Sequence, residues 1–251
     1  MTQPHEEPDT ATGPTTPAEA GLDDPTLAED LLLLLFQPDA GLGADTGAIA
    51  GENTLFYVLA GAVLADLGLG EHVRTQSGRF GTTTVEVIAE NPPVDHILRS
   101  AWEYVADKPR NVQTVLAAIG PPLREQVLDR VVERGDIRRS KRKALGLFET
   151  SFLADGGTGR RAALLADVRA VLTSEVPPTA RVAALGALIY GSGTLPQFHQ
   201  EIPWTAPVIA RAEQLKNGNW GAGAAAEAVA RTVTATIVSN VVVAAAVLPR
   251  N

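Results

Sequence analysis

The stretch Glu133–Asp155, ERGDIRRSKRKALGLFETSFLAD, fixes how the rest of the chain is organised. It follows a helix that opens at Pro121–Pro122. Gly135 ends that helix, because glycine takes the left-handed conformation past a helix C-terminus without a Cβ penalty. Six basic residues then fall within ten positions: Arg134, Arg138, Arg139, Lys141, Arg142 and Lys143. A short apolar run, Ala144–Leu145–Gly146–Leu147–Phe148, follows them, so residues 136–153 read as a hairpin with a basic flank and an apolar tip. Such a block is attracted by an anionic bilayer surface and held by apolar insertion.

Moving upstream, Val112–Ile119 is a helix ended by Gly120, and Pro92–Pro93 opens another over Val94–Ala106. His72–Thr75 and Thr82–Ile88 read as two strands about the turn Ser77–Gly81. Leu55–Leu67 (LFYVLAGAVLADL) is apolar nearly all round, which marks a buried helix stopped by Gly68 and Gly70. Thr26–Leu27–Ala28–Glu29 is a capping box leading into Leu31–Phe36, where unbranched leucine after a cap favours helix over strand. Pro38 and Gly41 end that helix.

The order helix, glycine, hairpin occurs twice, at 55–88 and again at 121–153. Downstream the pattern is helical, over 159–174, 178–190, 206–216 and 221–248. Alanine and Gly186 within Ala180–Ile189 suit a close helix–helix approach. The fold class is mainly α: a single globular helical domain over residues 26–251 with two small β-hairpins. Residues 1–25 are rich in Pro, Thr, Glu and Asp and read as a disordered acidic tail, without the cationic start and apolar segment of a signal peptide.

Composition narrows the function. The chain has 251 residues and a net charge of −8, which argues against non-specific nucleic-acid binding by the whole molecule. Cysteine is absent, which excludes disulfides, thiol catalysis and Cys-ligated metal sites and suits a reducing cytoplasm. High Ala, Gly, Arg and Val content suggests a GC-rich genome. The longest uncharged apolar stretch, Thr232–Leu248, has about 17 residues, short of the roughly 20 that span a bilayer, and reads as a buried final helix.

The four histidines, His5, His72, His96 and His199, form no HxxxH or HExxH pattern. Gly41-x-Gly43-x-x-x-Gly47 has the wrong spacing for a dinucleotide loop, and no GxSxG or phosphate-loop lysine motif occurs. No catalytic residue, metal site or cofactor is assigned, and the protein is expected not to be an enzyme.

The basic block has plainer readings. Arginine on a hairpin strand can be a solvated edge that blocks aggregation, and Leu145, Leu147 and Phe148 alternate, so they either face the core or insert into a membrane. A helix followed by a basic hairpin also describes a winged-helix DNA-binding regulator. Against that, LREQVLDRVVER over 123–134 interleaves acids with its bases.

Five segments together resemble the Golgi phosphoprotein 3 family, including its actinobacterial members. They are Thr26–Phe36 (TLAEDLLLLLF), Leu59–Leu69 (LAGAVLADLGL), Leu123–Ile137 (LREQVLDRVVERGDI), Leu145–Phe148 (LGLF) and Leu185–Tyr190 (LGALIY), and the resemblance covers roughly residues 26–248. It implies a mostly helical, non-enzymatic adaptor that binds phosphatidylinositol 4-phosphate on the cytosolic leaflet, with the second hairpin serving in membrane insertion and self-association. The family pocket uses a tryptophan and three arginines. Residue by residue, one arginine falls on Arg124, another on Pro121, the third on Ala60, and the tryptophan near Gly51, with Phe56 or Tyr57 as a substitute aromatic.

The expectation is therefore a cytoplasmic protein, peripheral at the cytosolic face of a membrane. Arg124, Arg138, Arg139, Lys141, Arg142 and Lys143 would bind anionic lipid, phosphoinositide by resemblance, and Leu145, Leu147 and Phe148 would insert. Homo-oligomerisation through the hairpin and an unspecified client protein are the further partners expected. Nucleic acid is disfavoured.

Overall fold

The capping box forms as its residue types dictate. In this computed structural model, which describes residues 24–41, 46–77, 82–144, 148–174, 177–218 and 224–247, Thr26 Oγ1 accepts from the Glu29 amide at 3.3 Å. Glu29 Oε2 in turn accepts from the Thr26 amide at 2.8 Å. The helix it starts, α1 (Leu27–Leu35), is buried on every side, which explains five consecutive leucines in a helix. Phe36–Gln37 (β1) then pairs antiparallel with Ala48–Ile49 (β2). A 3₁₀ turn, Glu52–Thr54, leads into α2 (Leu55–Leu69).

Helix α2 is the centre of the core, packed against α1 and against α3 (His96–Ala106), α4 (Val112–Ile119), α5 (Leu123–Glu133), α7 (Ala180–Gly191) and α9 (Ala224–Val247). By length and composition the stretch Glu52–Leu69 could cross a membrane, but most of it is buried inside this fold. It runs past Gly68, where a stop was expected, because Gly68 is the close-approach point for α9: a Cβ there would lie 2.8 Å from Val229 Cβ. Gly61 meets Ile237 and Val233 of α9 in the same way. Val229, Val233 and Ile237 bury one stripe of α9, as expected of a final helix that packs rather than spans.

The recurrence of helix, turn and hairpin has a common structural basis. After α5, the Asp136 amide bonds Val131 O at 3.1 Å and the Gly135 amide bonds Val132 O at 2.9 Å, a Schellman motif with Gly135 at φ +78°. After α2, the His72 amide bonds Leu67 O at 2.8 Å and the Glu71 amide bonds Gly68 O at 3.1 Å, with Glu71 itself at φ +56°. The first motif launches β6 (Ile137–Ala144) paired with β7 (Phe148–Asp155), and the second launches β3 (Val73–Ser77) paired with β4 (Thr83–Val87).

Three expectations need adjustment. Helix α3 starts at His96, not Val94, because Asp95 is its cap: its Oδ1 accepts from the Ile97 and Leu98 amides at 2.9 and 3.0 Å. The prolines at 92 and 93 precede the cap and leave Val94 exposed. The first hairpin gains a third strand, β5 (Arg110–Asn111), and the loop at 39–53 contains β2; two-residue strands carry no alternation to read. Helices α6 (Arg160–Thr173), α7 and α8 (Ala206–Lys216) lie within a residue or two of the predicted bounds. The described chain is mainly α with small antiparallel hairpins, as the sequence indicates. The tail read over residues 1–25 lies, up to residue 23, outside the described residues.

Candidate functional site

Beneath the basic hairpin lies a buried ionic cluster. Glu29 and Asp30 read from sequence as a cap residue and a first-turn dipole partner, yet both are buried and together they bind four arginines. Arg134 Nε donates to Glu29 Oε1 at 2.6 Å, and Arg130 lies 3.5 Å from Glu29 Oε2 and 2.6 Å from Asp95. Asp30 holds Arg160 and, at 2.5 Å, Arg181. Arg160 also pairs with Asp136, whose other oxygen accepts from Thr158 Oγ1 at 2.6 Å. The cluster thus joins α1 to α5, α6 and α7 and to the residue that begins the hairpin. Its sequence signal was the i, i+4 pair Arg130 and Arg134 on the apolar side of α5.

Asp66 completes the cluster from α2, accepting from the Leu27 amide at 2.7 Å and lying 3.6 Å from Arg181. Burial, the largest influence on it, pushes its carboxyl above the usual aspartate value against the pull of the Leu27 amide and Arg181.

The basic block divides. Arg134 leaves it altogether, since its side chain turns inward to Glu29. Strands β6 and β7 pair over eight positions, from Ile137 opposite Asp155 to Ala144 opposite Phe148. Alternation then sets Arg138 and Ser140 on one face and Arg139 and Lys141 on the other, so cations occupy both faces. The base is packed, with Ile137 and Ala154 buried and the Gly47 amide bonding Leu153 O at 2.7 Å. By Lys141 and Ser151 the hairpin is exposed.

Arg138 Nε donates to Asp155 O at 3.0 Å, while Arg139 bridges to α5, 2.6 Å from Asp129 and 3.4 Å from Glu125. Arg142 and Lys143 stand opposite Thr150 and Glu149 in the ladder. Of the three insertion candidates, Phe148 is the first residue of β7, and Leu145 and Leu147 lie outside the described residues.

Arg124 sits apart from this hairpin, at the corner where α5 meets the turn before α2. Of the other pocket positions carried over by resemblance, Phe56 packs beside Gly120, the residue before Pro121, where a Cβ would lie 2.7 Å from Phe56 O, and the ring centroids of Phe56 and Tyr57 are 4.6 Å apart. Ala60 does not join them, being fully buried in the core. Gly51 is left-handed at φ +71° and directed against Thr194. Two acids that the sequence reading overlooked hold Arg124: Glu52 bonds its Nε and Glu125 its Nη1. The hydrogen bond that Arg124 donates to Glu52, the largest influence, raises the guanidinium above its ordinary value.

The exposed face of α5 carries Glu125, Asp129 and Glu133 at four-residue spacing, an acidic stripe where a winged-helix protein would present its recognition surface to phosphates. Among the described residues no group of three His, Asp or Glu side chains is arranged to hold a metal ion.

Comparison with curated proteins returns no match. The sequence pattern of the Golgi phosphoprotein 3 (GPP34) family matches residues 27–232, from the first residue of α1 into α9. That span begins one residue after the cap Thr26 and takes in the core helix α2, both helix–hairpin units and the ionic cluster. The chain belongs to the Golgi phosphoprotein 3 family.

Proposed function

We propose that this protein is a non-enzymatic peripheral membrane adaptor that engages anionic lipid through the β6–β7 hairpin at the cytosolic face of a membrane. The observation that carries the reading is the hairpin's construction. Its base is locked into the fold by Ile137, Ala154 and the Gly47 bridge, while a strand bearing Arg138, Lys141, Arg142 and Lys143 runs outward from it. Each basic residue near an anionic surface contributes about 1 kcal/mol, enough in sum for reversible attachment. In sequence the apolar run 144–148 follows that strand, and it would enter the bilayer.

Membership of the family favours phosphatidylinositol 4-phosphate as one ligand. The corner at Arg124 argues for a loose preference, because Glu52 and Glu125 already hold the one arginine that matches the family pocket. A head-group phosphate would have to displace two carboxylates. The proposal is therefore a charge-driven anchor, with general anionic lipid bound nearly as well as phosphoinositide.

Co-sedimentation with neutral, phosphatidylserine and phosphatidylinositol 4-phosphate vesicles tests it. Binding to both anionic compositions that fades with salt is expected, since screening acts over about 8–10 Å. No binding to any vesicle at low salt would end the proposal.

A further inference from the structure

We propose that the acidic N-terminal segment, residues 1–23, docks on the β6–β7 hairpin of the same chain and competes there with anionic surfaces. The competition rests on the function proposed above; the docking does not. Charge is the first support. The segment carries Glu6, Glu7, Asp9, Glu19 and Asp23 and no lysine or arginine. The hairpin carries Arg138, Arg139, Lys141, Arg142 and Lys143 against Glu149 and Asp155 alone. No other stretch of this acidic chain is as basic.

The second support is where the segment leaves the fold. Arg181 Nη2 clamps Pro25 O at 2.5 Å and binds Asp30 from the same guanidinium. Asp30 also holds Arg160, and Arg160 holds Asp136, the residue immediately before β6. One shared carboxylate, Asp30, and one shared guanidinium, Arg160, therefore tie the exit point of the segment to the root of the hairpin.

Length is the third. An eight-residue strand is about 27 Å long, and 23 residues span up to about 75 Å when extended. Asp23 and Glu19 can meet the base of the hairpin while Glu6, Glu7 and Asp9 reach its outer half. A tethered partner of this reach acts at an effective concentration of order millimolar, so a weak electrostatic contact suffices. The acidic stripe Glu125, Asp129 and Glu133 on α5 flanks the Arg139 face and repels the segment from it. Docking is thereby directed to the face of Arg138.

The absence of cysteine permits a direct test on the full chain. Spin labels at Thr12→Cys and at Ser140→Cys, on the Arg138 face, report the distance between segment and hairpin by pulsed electron resonance. A short-distance population is expected at about 50 mM salt and is lost at about 0.5 M, where the Debye length falls to a few ångström. Neutralising the segment (Glu6→Gln, Glu7→Gln, Asp9→Asn, Glu19→Gln, Asp23→Asn) should abolish it as well. A distribution unmoved by salt and by neutralisation overturns the docking. So does a short-distance population that vanishes on dilution with unlabelled protein, which would mean the segment of a second copy is bound.

Competition is read separately, on vesicles of phosphatidylcholine with about 30% phosphatidylserine. The neutralised chain should bind about fivefold more tightly than the native one at low salt, with the gap closing as salt screens both contacts. Equal affinities overturn the competition. Absence of binding by both chains overturns the membrane function and the competition with it, while the distance measurement still decides the docking.

Discussion

Arg134 reaches across 105 residues of sequence to donate from Nε to Glu29 Oε1 at 2.6 Å, and the carboxylate it meets has no solvent exposure. The same carboxylate closes the capping box of α1 and faces Arg130. One side chain thus performs a local task, capping the start of a helix, and a global one, fastening that helix to α5. Removing a partner from a buried charge pair typically costs 3–5 kcal/mol because the other charge is left without compensation. Glu29→Ala should therefore lower stability by roughly 4 kcal/mol, read as a fall in the urea midpoint, with Arg130 and Arg134 both stranded. A loss of about 1 kcal/mol, what a cap alone contributes, would reduce Glu29 to its local role.

Asp66 gives the fold a pH dependence of opposite sign to that of an ordinary paired carboxylate. Burial raises its folded-state value above the unfolded one, so the folded protein binds the proton more tightly than the unfolded chain. Its contribution to stability falls as pH rises from the unfolded value through the folded one, and is regained on acidification over the same window. Asp66→Asn removes that slope. The stability of the native protein relative to the variant should increase as pH is lowered through the window, measured by urea unfolding at a series of pH values. A difference that is flat, or that shrinks towards acid, refutes the assignment.

The two Schellman motifs make a matched pair. A Cβ added at Gly135, where φ is +78°, would have nothing within 4 Å, so Gly135→Ala meets only the backbone penalty of the left-handed region, about 1–2 kcal/mol. Glu71 already bears that penalty at φ +56°, and Glu71→Gly should stabilise by about 0.5–1 kcal/mol once the entropy of glycine is set against it. Thermal denaturation of the two variants should move in opposite directions. Shifts of the same sign would mean that side-chain contacts, not φ, decide these positions.

At the corner of α5, Arg124→Ala should leave attachment to phosphatidylserine vesicles within about twofold, because Glu52 and Glu125 already neutralise it. Replacing Arg138, Lys141, Arg142 and Lys143 together by glutamine should weaken attachment by about two to three orders of magnitude, at about 1 kcal/mol for each charge. Glu52→Gln with Glu125→Gln should raise the preference for phosphatidylinositol 4-phosphate by releasing Arg124. If Arg124→Ala alone abolishes vesicle binding, attachment runs through that corner and not through the hairpin.

Local chemistry was legible in the chain itself. The capping box at Thr26, the glycine stop at Gly135, the hairpin that follows it and the bounds of α4 and α8 follow from interactions within a few residues, and the structure shows each of them. The family resemblance was legible as well, because it depends on the order of such signals. Gly68 was misread as a stop for the same reason it is a glycine: the close approach of Val229 demands a small residue, and that neighbour is some 160 positions away in the chain.

What only the tertiary structure decided is which charges act at the surface. In sequence Arg134, Arg139 and Lys141 are equivalent members of one basic run. In the fold Arg134 is drawn inside by Glu29, Arg139 is bound by Asp129, and Arg124 is held by Glu52 from the turn before α2. Composition sets how many charges a chain carries, but the reach of a guanidinium is a few ångström. Its partner is therefore chosen by the packing of helices that are distant in sequence.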